Sequence, residues 1–194
     1  MIELAYGAEA IIYQDKDRII KHRLKKTYRI KELDDELRKQ RTRKEAKLLQ
    51  KIPVPHPELI ESDDKEKIVM QKIKGERLRE VLDKKPILAK KVGELVAELH
   101  NHNIIHGDLT TSNIILDNKA SVVFIDFGLS FHSHKIEDKA VDIHLFKQAL
   151  NSKHHRIYHK ALGEFLRGYK KVNKYKEILK RLEKVELRGR YRKT

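Results

Sequence analysis

The segment from residue 106 to residue 128 alternates polar loops with short apolar runs, and this order restricts the possible folds more than any other feature. It opens with H-G-D-L-T-T-S-N at residues 106–113. Two short strands are predicted at 114–116 and 122–125, around a polar turn at 117–119. The triplet D-F-G at 126–128 follows directly. The pattern predicts a β-hairpin that brings the D-F-G triplet back beside the first polar loop.

Three side chains of these loops form a candidate catalytic group: Asp108, Asn113 and Asp126. Phosphoryl transfer from ATP requires magnesium held against the phosphates and a carboxylate near the attacking oxygen. Carboxylate and amide oxygens are ligands that magnesium accepts. Taken singly, an Asp before a turn is usually a cap and an Asn before a strand is usually a turn residue. Their conjunction on two loops joined by a hairpin favours a magnesium-dependent phosphotransfer site in one cleft.

The first part of the chain is predicted to form a small β-rich lobe with one main helix. Residues 2–24 read as strands with a turn at 14–17, and residues 59–60 and 68–70 read as a hairpin. Between them, from about 31 to 51, the pattern is helical. One stripe of that helix carries residues four apart: Leu33, Leu37, Arg41, Glu45 and Leu49. Prolines at 53, 55 and 57 end it, because proline cannot continue a helix.

Near residues 71–76 the predicted secondary structure changes from mainly strands to mainly helices, and we place the boundary between two lobes there. A short helix is predicted over 76–85, and Pro86 opens a longer one with a regular apolar face. The part after the hairpin is predicted to be helical, and a basic tail covers 188–194. The expected fold class is α+β: one two-lobed domain, with an N-terminal lobe of about 1–73 and a mainly helical C-terminal lobe of about 74–187.

The composition gives a formal net charge of +15, from 44 basic and 29 acidic residues. Such a charge predicts attraction to nucleic acid, nucleotides or an acidic partner. A solvated, thermophile-type surface explains it equally well, because 38% of all residues are charged. The absence of cysteine excludes disulfides and thiolate chemistry. With no apolar run of membrane-spanning length and no signal peptide, we expect a soluble, cytoplasmic protein.

The catalytic-loop and D-F-G motifs resemble those of the protein-kinase superfamily in order and spacing. The resemblance implies that Asp108 is the catalytic base and that Asn113 and Asp126 hold the metal. It also implies that Lys21, at the end of the I-I-K sequence, contacts the ATP phosphates. Glu45 on the following helix would be its ion-pair partner. Arg41 and Lys44 are nearby competitors for pairing with Glu45.

Two further nucleotide contacts follow from the same resemblance. The segment Gly7, Ala8, Glu9 and Ala10 would be the phosphate loop, although it has one glycine where most kinases have three. The interlobe hinge would be residues 70–73, with Gln71 and Ile73 offering backbone groups to adenine.

The chain differs from most protein kinases in two features, and these narrow the choice of family within the superfamily. Thr110 stands where most protein kinases have a lysine two residues after the catalytic Asp, and the A-P-E segment that docks peptide substrates is missing. The chain carries six short motifs in order: G-A-E-A, R-x-x-x-E-A-x-x-L, H-G-D-L-T-T-S-N, D-F-G-L-S, E-D-K-A-V-D and a final R-G-R-x-R. In these motifs it is similar to the small atypical kinase subunit of the KEOPS (EKC) complex.

This second resemblance implies an ATPase that serves the synthesis of threonylcarbamoyl-adenosine in transfer RNA and autophosphorylates on Ser or Thr. Its cofactors would be ATP and Mg²⁺. Its partners would be the sugar-kinase-like transferase, which some archaea fuse to it, and the other KEOPS subunits. Transfer RNA would contact the basic surface. The tail cations Arg188, Arg190, Arg192 and Lys193 lie beyond the last periodic helix, and either they reach a polyanion, transfer-RNA phosphate or bound nucleotide, or they form a disordered, solvated end.

Two other functions remain open at the level of sequence. A small-molecule phosphotransferase of the aminoglycoside or choline kinase type also uses H-G-D-x-x-x-x-N with a later Asp, but it usually inserts extra helices for its substrate. A non-catalytic scaffold or RNA-binding module could keep the fold without the chemistry. The intact set Lys21, Glu45, Asp108, Asn113 and Asp126 argues against that alternative.

Overall fold

In the computed structural model, the first two dozen residues form consecutive antiparallel strands, as their apolar runs predict. The sheet has the order β1-β2-β3-β5-β4 and is antiparallel throughout. A single helix, α1, contacts β4 and β5. The bounds are β1 Ile2–Tyr6, β2 Ala10–Asp15, β3 Arg18–Arg23, α1 Lys31–Leu49, β4 Leu59–Ser62 and β5 Lys67–Gln71. The structure describes residues 1–7 and 9–190, and these elements belong to the first of its two compact units, residues 1–52 and 56–74.

The predicted stripe of helix α1 is not buried along its whole length. In the first half of the helix, Leu33 of that stripe is 53% exposed, whereas its neighbour Asp34 is fully buried. The cause is charge pairing, because Arg38 Nε donates to Asp34 Oδ2 at 2.9 Å and holds that carboxylate inward. In the second half of the helix, Glu45 and Leu49 of the same stripe are buried.

The second unit, comprising residues 53–55 and those from 75 onward, is mainly helical. Three of its strands form an antiparallel sheet in the order β6-β8-β9, and β7 pairs with β10. The strands are β6 Gly75–Arg77, β7 Ile104–Ile105, β8 Ile114–Asp117, β9 Val122–Phe124 and β10 Phe131–His132. The helices are α2 Leu78–Val81, α3 Leu88–Asn101, α4 Ile136–Lys153, α5 Tyr158–Tyr169 and α6 Tyr175–Arg190. The expected fold class, a β-rich lobe with one main helix and a mainly helical lobe, is confirmed.

Two predicted helical stretches contain strands instead. Residues 75–77 pair with β8, with Gly75 opposite Asp117, so only one helical turn remains of the helix predicted over 76–85. Strand β10 lies in a part that was expected to be helical, and it pairs Phe131 with Ile105. Both strands are stabilised by partners far along the chain, which local periodicity does not reveal.

The last helix is longer than the sequence pattern predicted. Because α6 continues to Arg190, Arg188 lies in a helix and not in a tail. Arg188 Nη1 donates to Glu137 Oε1 at 2.9 Å. Residues 191–194 of the predicted tail, including Arg192 and Lys193, lie outside the described residues. Within the described ranges, we find no helix with the length and apolar character needed to cross a membrane.

Helices α3 and α5 approach so closely that two glycines are required between them. A Cβ atom on Gly93 would lie 2.0 Å from Phe165 O, and one on Gly168 would lie 2.0 Å from Lys90 O. Gly163 on the same helix α5 faces open space. The core of the second unit therefore depends on backbone contact at Gly93 and Gly168.

Candidate active site

The proposed base and one proposed metal ligand are joined directly. Asp108 and Asn113 lie on the loop between β7 and β8, and Asn113 is part of a short 3₁₀ turn, Thr111–Asn113. Asn113 Nδ2 donates to Asp108 Oδ2 at 2.8 Å and to Asp108 O at 3.0 Å. The two side chains, five residues apart in sequence, therefore form one hydrogen-bonded group.

Asp126 lies beside this group. Ile125 N donates to Asn113 O at 2.9 Å, so the chain leaving β9 is tied to the loop. Asp126 then adopts a φ of 61°, a left-handed conformation that turns the backbone sharply before the buried Phe127. The three residues come together as the sequence predicts, while their catalytic roles stay predictions.

His106 packs beneath the loop that carries Asp108 and Asn113. It is fully buried, and its ring lies 4.8 Å from the ring of Phe127, centroid to centroid. The neutral tautomer with a proton on Nε2 fits both of its contacts, since Nε2 can donate to Ile125 O at 3.3 Å and Nδ1 can accept from Asp108 N at 3.3 Å. Burial lowers the pKa of His106 below its ordinary value, against the opposing charges of nearby carboxylates. This favours the neutral form that both contacts require.

A buried carboxylate from α4 holds the start of the loop. Asp142 Oδ2 accepts from His106 N at 2.8 Å, and Oδ1 accepts from Gly107 N at 3.0 Å. Burial alone would raise the pKa of Asp142, but the hydrogen bond and charge of His100, with the backbone donors, outweigh it and lower the pKa. His100 lies 3.2 Å from Asp142 through Nε2 and 2.6 Å from the Tyr169 hydroxyl through Nδ1. The loop is thus anchored on an ionised residue of the core.

Further contacts fix the loop from other sides. Ser130 Oγ donates to His106 O at 2.6 Å, and the buried His154 lies 3.2 Å from Thr111 Oγ1 through its Nε2. Gly107 has a φ of 80°, and a Cβ there would lie 2.4 Å from Leu129 O. The loop therefore requires glycine at this position.

The first unit contains the predicted lysine–glutamate pair. Lys21 Nζ lies 2.8 Å from Glu45 Oε1, and the two side chains are 10% and 2% exposed. This prediction is confirmed. Glu45 has a second partner that the sequence analysis missed, because Arg23 Nη2 binds its Oε2. Arg41, named as a competitor for Glu45, pairs instead with Glu9.

The predicted phosphate loop lies between β1 and β2, and its two ends are joined by a backbone hydrogen bond. Gly7 N donates to Ala10 O at 3.0 Å, and Glu9 O accepts from Leu24 N at 3.3 Å. The Glu9 carboxylate binds Arg41 on α1. Ala8 lies outside the described residues. The loop is thus tied to both the β3 end and the helix that carries Glu45.

The predicted hinge residues lie at the end of β5 and just after it. Gln71 is opposite Arg18 in the sheet, and its N–H donates to Glu58 O at 2.9 Å. Ile73 is half-buried and follows the strand. Since the Gln71 N–H is already used, it is not available to adenine, and the adenine contact stays a prediction for the remaining backbone groups.

The residues predicted to hold Mg²⁺ offer suitable atoms. Because Asn113 Nδ2 donates to Asp108, its Oδ1 is the atom left for a cation. Asp126 contributes an exposed carboxylate. Magnesium commonly binds one or two protein oxygens together with waters and substrate phosphates. The donor set therefore fits a magnesium ion shared with a nucleotide.

Arg23 and Asp142 are the main site residues that sequence reasoning missed. Arg23 could have been found, because it lies two residues after Lys21 and so on the same face of β3. Asp142 is the last residue of the E-D-K-A-V-D motif, but the motif gave it no role. Its backbone partners lie 35 and 36 residues away, and no spacing rule connects such positions.

The chain is similar in sequence to a known domain family and to several known proteins. The model of the RIO domain family matches residues 6–140, a range that contains the candidate residues from Gly7 to Asp126. The KEOPS complex subunit Bud32 of Pyrococcus abyssi is 44% identical over 186 residues, which cover 90% of this chain and 84% of that protein.

Two other relatives differ in length and name. A probable serine/threonine-protein kinase BUD32 homolog of Archaeoglobus fulgidus is 37% identical, with 95% of this chain and 94% of that protein covered. A probable bifunctional tRNA threonylcarbamoyladenosine biosynthesis protein of Methanocaldococcus jannaschii is 42% identical over 95% of this chain. This chain spans 36% of the length of that second protein.

Proposed function

This chain belongs to the RIO domain family and to the group of KEOPS complex subunits named Bud32, and we propose that it is a magnesium- and ATP-dependent phosphotransferase of the serine/threonine kinase type with ATPase activity. The observation that carries the proposal is the hydrogen-bonded pair Asp108–Asn113 beside Asp126, anchored on the buried Asp142. Two carboxylates and an amide on adjoining loops are the groups that magnesium-dependent phosphoryl transfer requires.

In this proposal Asp108 accepts the proton of the attacking hydroxyl or water. The attacking oxygen bonds to the γ-phosphorus of ATP as the bond to the ADP oxygen breaks. Asn113 keeps the Asp108 carboxylate in place through its 2.8 Å hydrogen bond. Lys21, oriented by Glu45, contacts the nucleotide phosphates. Asn113 and Asp126 would hold a magnesium ion, which would neutralise charge on those phosphates.

The remaining nucleotide contacts are proposed on the same basis. The backbone of Gly7, Glu9 and Ala10 would approach the phosphates, and the chain around Ile73 would approach adenine. The backbone hydrogen bond between Gly7 and Ala10 supports the first of these contacts.

The cellular role that we propose is in the threonylcarbamoyladenosine modification of transfer RNA, as a KEOPS subunit. The name of the Pyrococcus abyssi relative supports assembly with other KEOPS subunits. The name of the bifunctional Methanocaldococcus jannaschii protein supports a close link to an enzyme of tRNA threonylcarbamoyladenosine synthesis, in some relatives on one polypeptide. Contact with transfer RNA would use the cationic surface and the C-terminal cations.

ATP hydrolysis by the purified chain, measured alone and with the tRNA-modifying partner, tests this function. We expect slow magnesium-dependent turnover that rises when the partner is added, and poor phosphorylation of generic peptides because the A-P-E segment is missing. Faster turnover on adding an aminoglycoside or choline would favour a small-molecule kinase. No turnover under any of these conditions would favour a scaffold.

A further inference from the structure

The first unit contains a cavity of about 120 Å³ that the proposed catalysis does not use. It lies among the phosphate loop, the linker after β3 and helix α1. Five cationic residues and one acidic residue contribute to its wall: Arg23, Lys26, Arg29, Arg38, Arg41 and Glu9. We call this space the arginine cavity.

Arg23 is a wall residue with a buried donor that lacks a partner in the described part of the chain. Its side chain is 4% exposed, and Nη2 binds Glu45. Its Nε is buried and has no hydrogen-bond partner among the residues that the structure describes. A buried donor without an acceptor is unfavourable, so an acceptor at this donor would stabilise the site.

Two other guanidinium groups of the wall, those of Arg38 and Arg29, are held in place by carboxylates. Arg38 binds the carboxylates of Asp34, Asp35 and Glu66, and Arg29 Nη1 lies 3.5 Å from Asp34 Oδ1. These three carboxylates lie outside the cavity wall. They fix the positions of Arg38 and Arg29. Among the wall residues that the structure describes, Glu9 is the one acidic residue and pairs with Arg41, so cationic residues outnumber acidic ones in the lining.

From these observations we propose that the arginine cavity binds a phosphate group, either as free phosphate or as a phosphate of a nucleic acid. Guanidinium groups match phosphate geometry through a rigid fork of donors. A volume of about 120 Å³ gives room for one tetrahedral anion. The site uses neither Lys21 nor Asp126, so it is distinct from the proposed lysine and magnesium contacts of ATP, although Glu9 of its wall also belongs to the proposed phosphate loop.

Nitrogen-15 NMR of the arginine Nε–H groups tests the proposal on the unmodified chain. Inorganic phosphate is titrated at constant ionic strength, with chloride as the replaced anion. We expect a saturable shift of the Arg23 Nε–H resonance and no matching shift of Arg43, an exposed residue of α1 outside the cavity wall. No saturable shift at Arg23, or an equal response of Arg43, would overturn the proposal.

Variants and a second probe identify the source of the phosphate. The double substitution Lys26→Gln with Arg29→Gln should weaken phosphate binding by about tenfold or more, because each charged hydrogen bond contributes substantially. Arg43→Gln should leave it unchanged. If the source is nucleic acid, a short RNA should shift Arg23 at lower concentration than inorganic phosphate, and if it is free phosphate the RNA should have no effect. Competition by a magnesium–ATP analogue would contradict a separate site.

Discussion

Asn113 Nδ2 donates hydrogen bonds to both the carboxylate and the carbonyl oxygen of Asp108, at 2.8 Å and 3.0 Å. One amide group thus restricts the side chain and the backbone of the proposed base. Holding a catalytic group in one orientation lowers the entropy that is lost in the transition state. Because the amide oxygen of Asn113 stays available to a cation, this one side chain links the positions of base and metal.

Replacing the base should slow the chemistry more than it weakens binding. Asp108→Ala is expected to lower kcat for ATP hydrolysis by about two to four orders of magnitude, the range for a positioned proton acceptor. Nucleotide affinity should change little. Steady-state kinetics and direct nucleotide binding measure the two effects separately, with Asp64→Ala in the exposed β4–β5 turn as the control. Lost ATP binding with unchanged kcat would assign Asp108 to binding instead.

Much of the fold could be predicted because its signals are local. The strands around residues 2–24, the hairpin of β4 and β5, and the helices α1 and α3 follow from periodicity and turn residues. Leu33 shows where such reasoning ends, because the pairing of Arg38 with Asp34 decides which face of α1 is buried. Strand β10 pairs with β7, whose residues lie about 26 positions earlier in the chain. With only two residues, β10 is too short to show the alternation that would predict a strand.

Some residues of the candidate site could likewise be predicted from the sequence, and others could not. Asp108, Asn113 and Asp126 could be predicted because their spacing around a hairpin brings them together. Asp142 could not, since its role depends on how α4 packs under the loop. The position of Arg23 on the same face of β3 as Lys21 could be predicted from strand alternation. The sequence alone does not reveal that Glu45 forms ion pairs with both cations.

Replacing Asp142, which binds the start of the catalytic loop, should lower both kcat and the free energy of unfolding. Asp142→Asn replaces an acceptor oxygen by an N–H group that faces the backbone donors of His106 and Gly107. We expect a loss of about 1–3 kcal/mol in the free energy of unfolding, the cost of an unsatisfied buried group. We also expect kcat to fall at least about tenfold, since misplacement of a catalytic group is costly, with KM for ATP nearly unchanged. Glu183→Gln on the exposed face of α6 is the charge-matched control, and equal kcat values would contradict the anchoring role.

The buried His106 should make the fold sensitive to mild acid. Because burial lowers its pKa in the folded state below the ordinary 6.5, the unfolded chain takes up the proton first as pH falls. Stability should therefore decrease below about pH 6.5, by at most about 1.4 kcal/mol per pH unit from this group. Denaturant unfolding at several pH values should give a smaller pH slope for His106→Gln than for the unmodified chain. The exposed His102→Gln serves as control, and an unchanged slope in His106→Gln would contradict the prediction.

Two glycines of the second unit should respond to alanine in opposite directions. Gly93→Ala places a methyl group 2.0 Å from Phe165 O and should lower the free energy of unfolding by about 1–3 kcal/mol or more, because helices α3 and α5 must separate. Gly163→Ala meets nothing within 4 Å and should raise it by about 0.5–1 kcal/mol, through helix propensity. Thermal and denaturant unfolding of both variants check this. Equal effects would contradict the close α3–α5 contact.

Magnesium-dependent ATP turnover of Asp126→Asn tests the central claim most directly. The substitution removes one negative charge from an exposed side chain and should leave the fold and unfolding free energy nearly unchanged. The measurement compares ATP hydrolysis of the variant and the unmodified chain over a range of Mg²⁺ concentrations, with the tRNA-modifying partner present. If Asp126 holds the metal against the nucleotide, as we propose, metal-dependent turnover falls to background in a protein that is still folded. Undiminished turnover with the same Mg²⁺ dependence would contradict the proposed site.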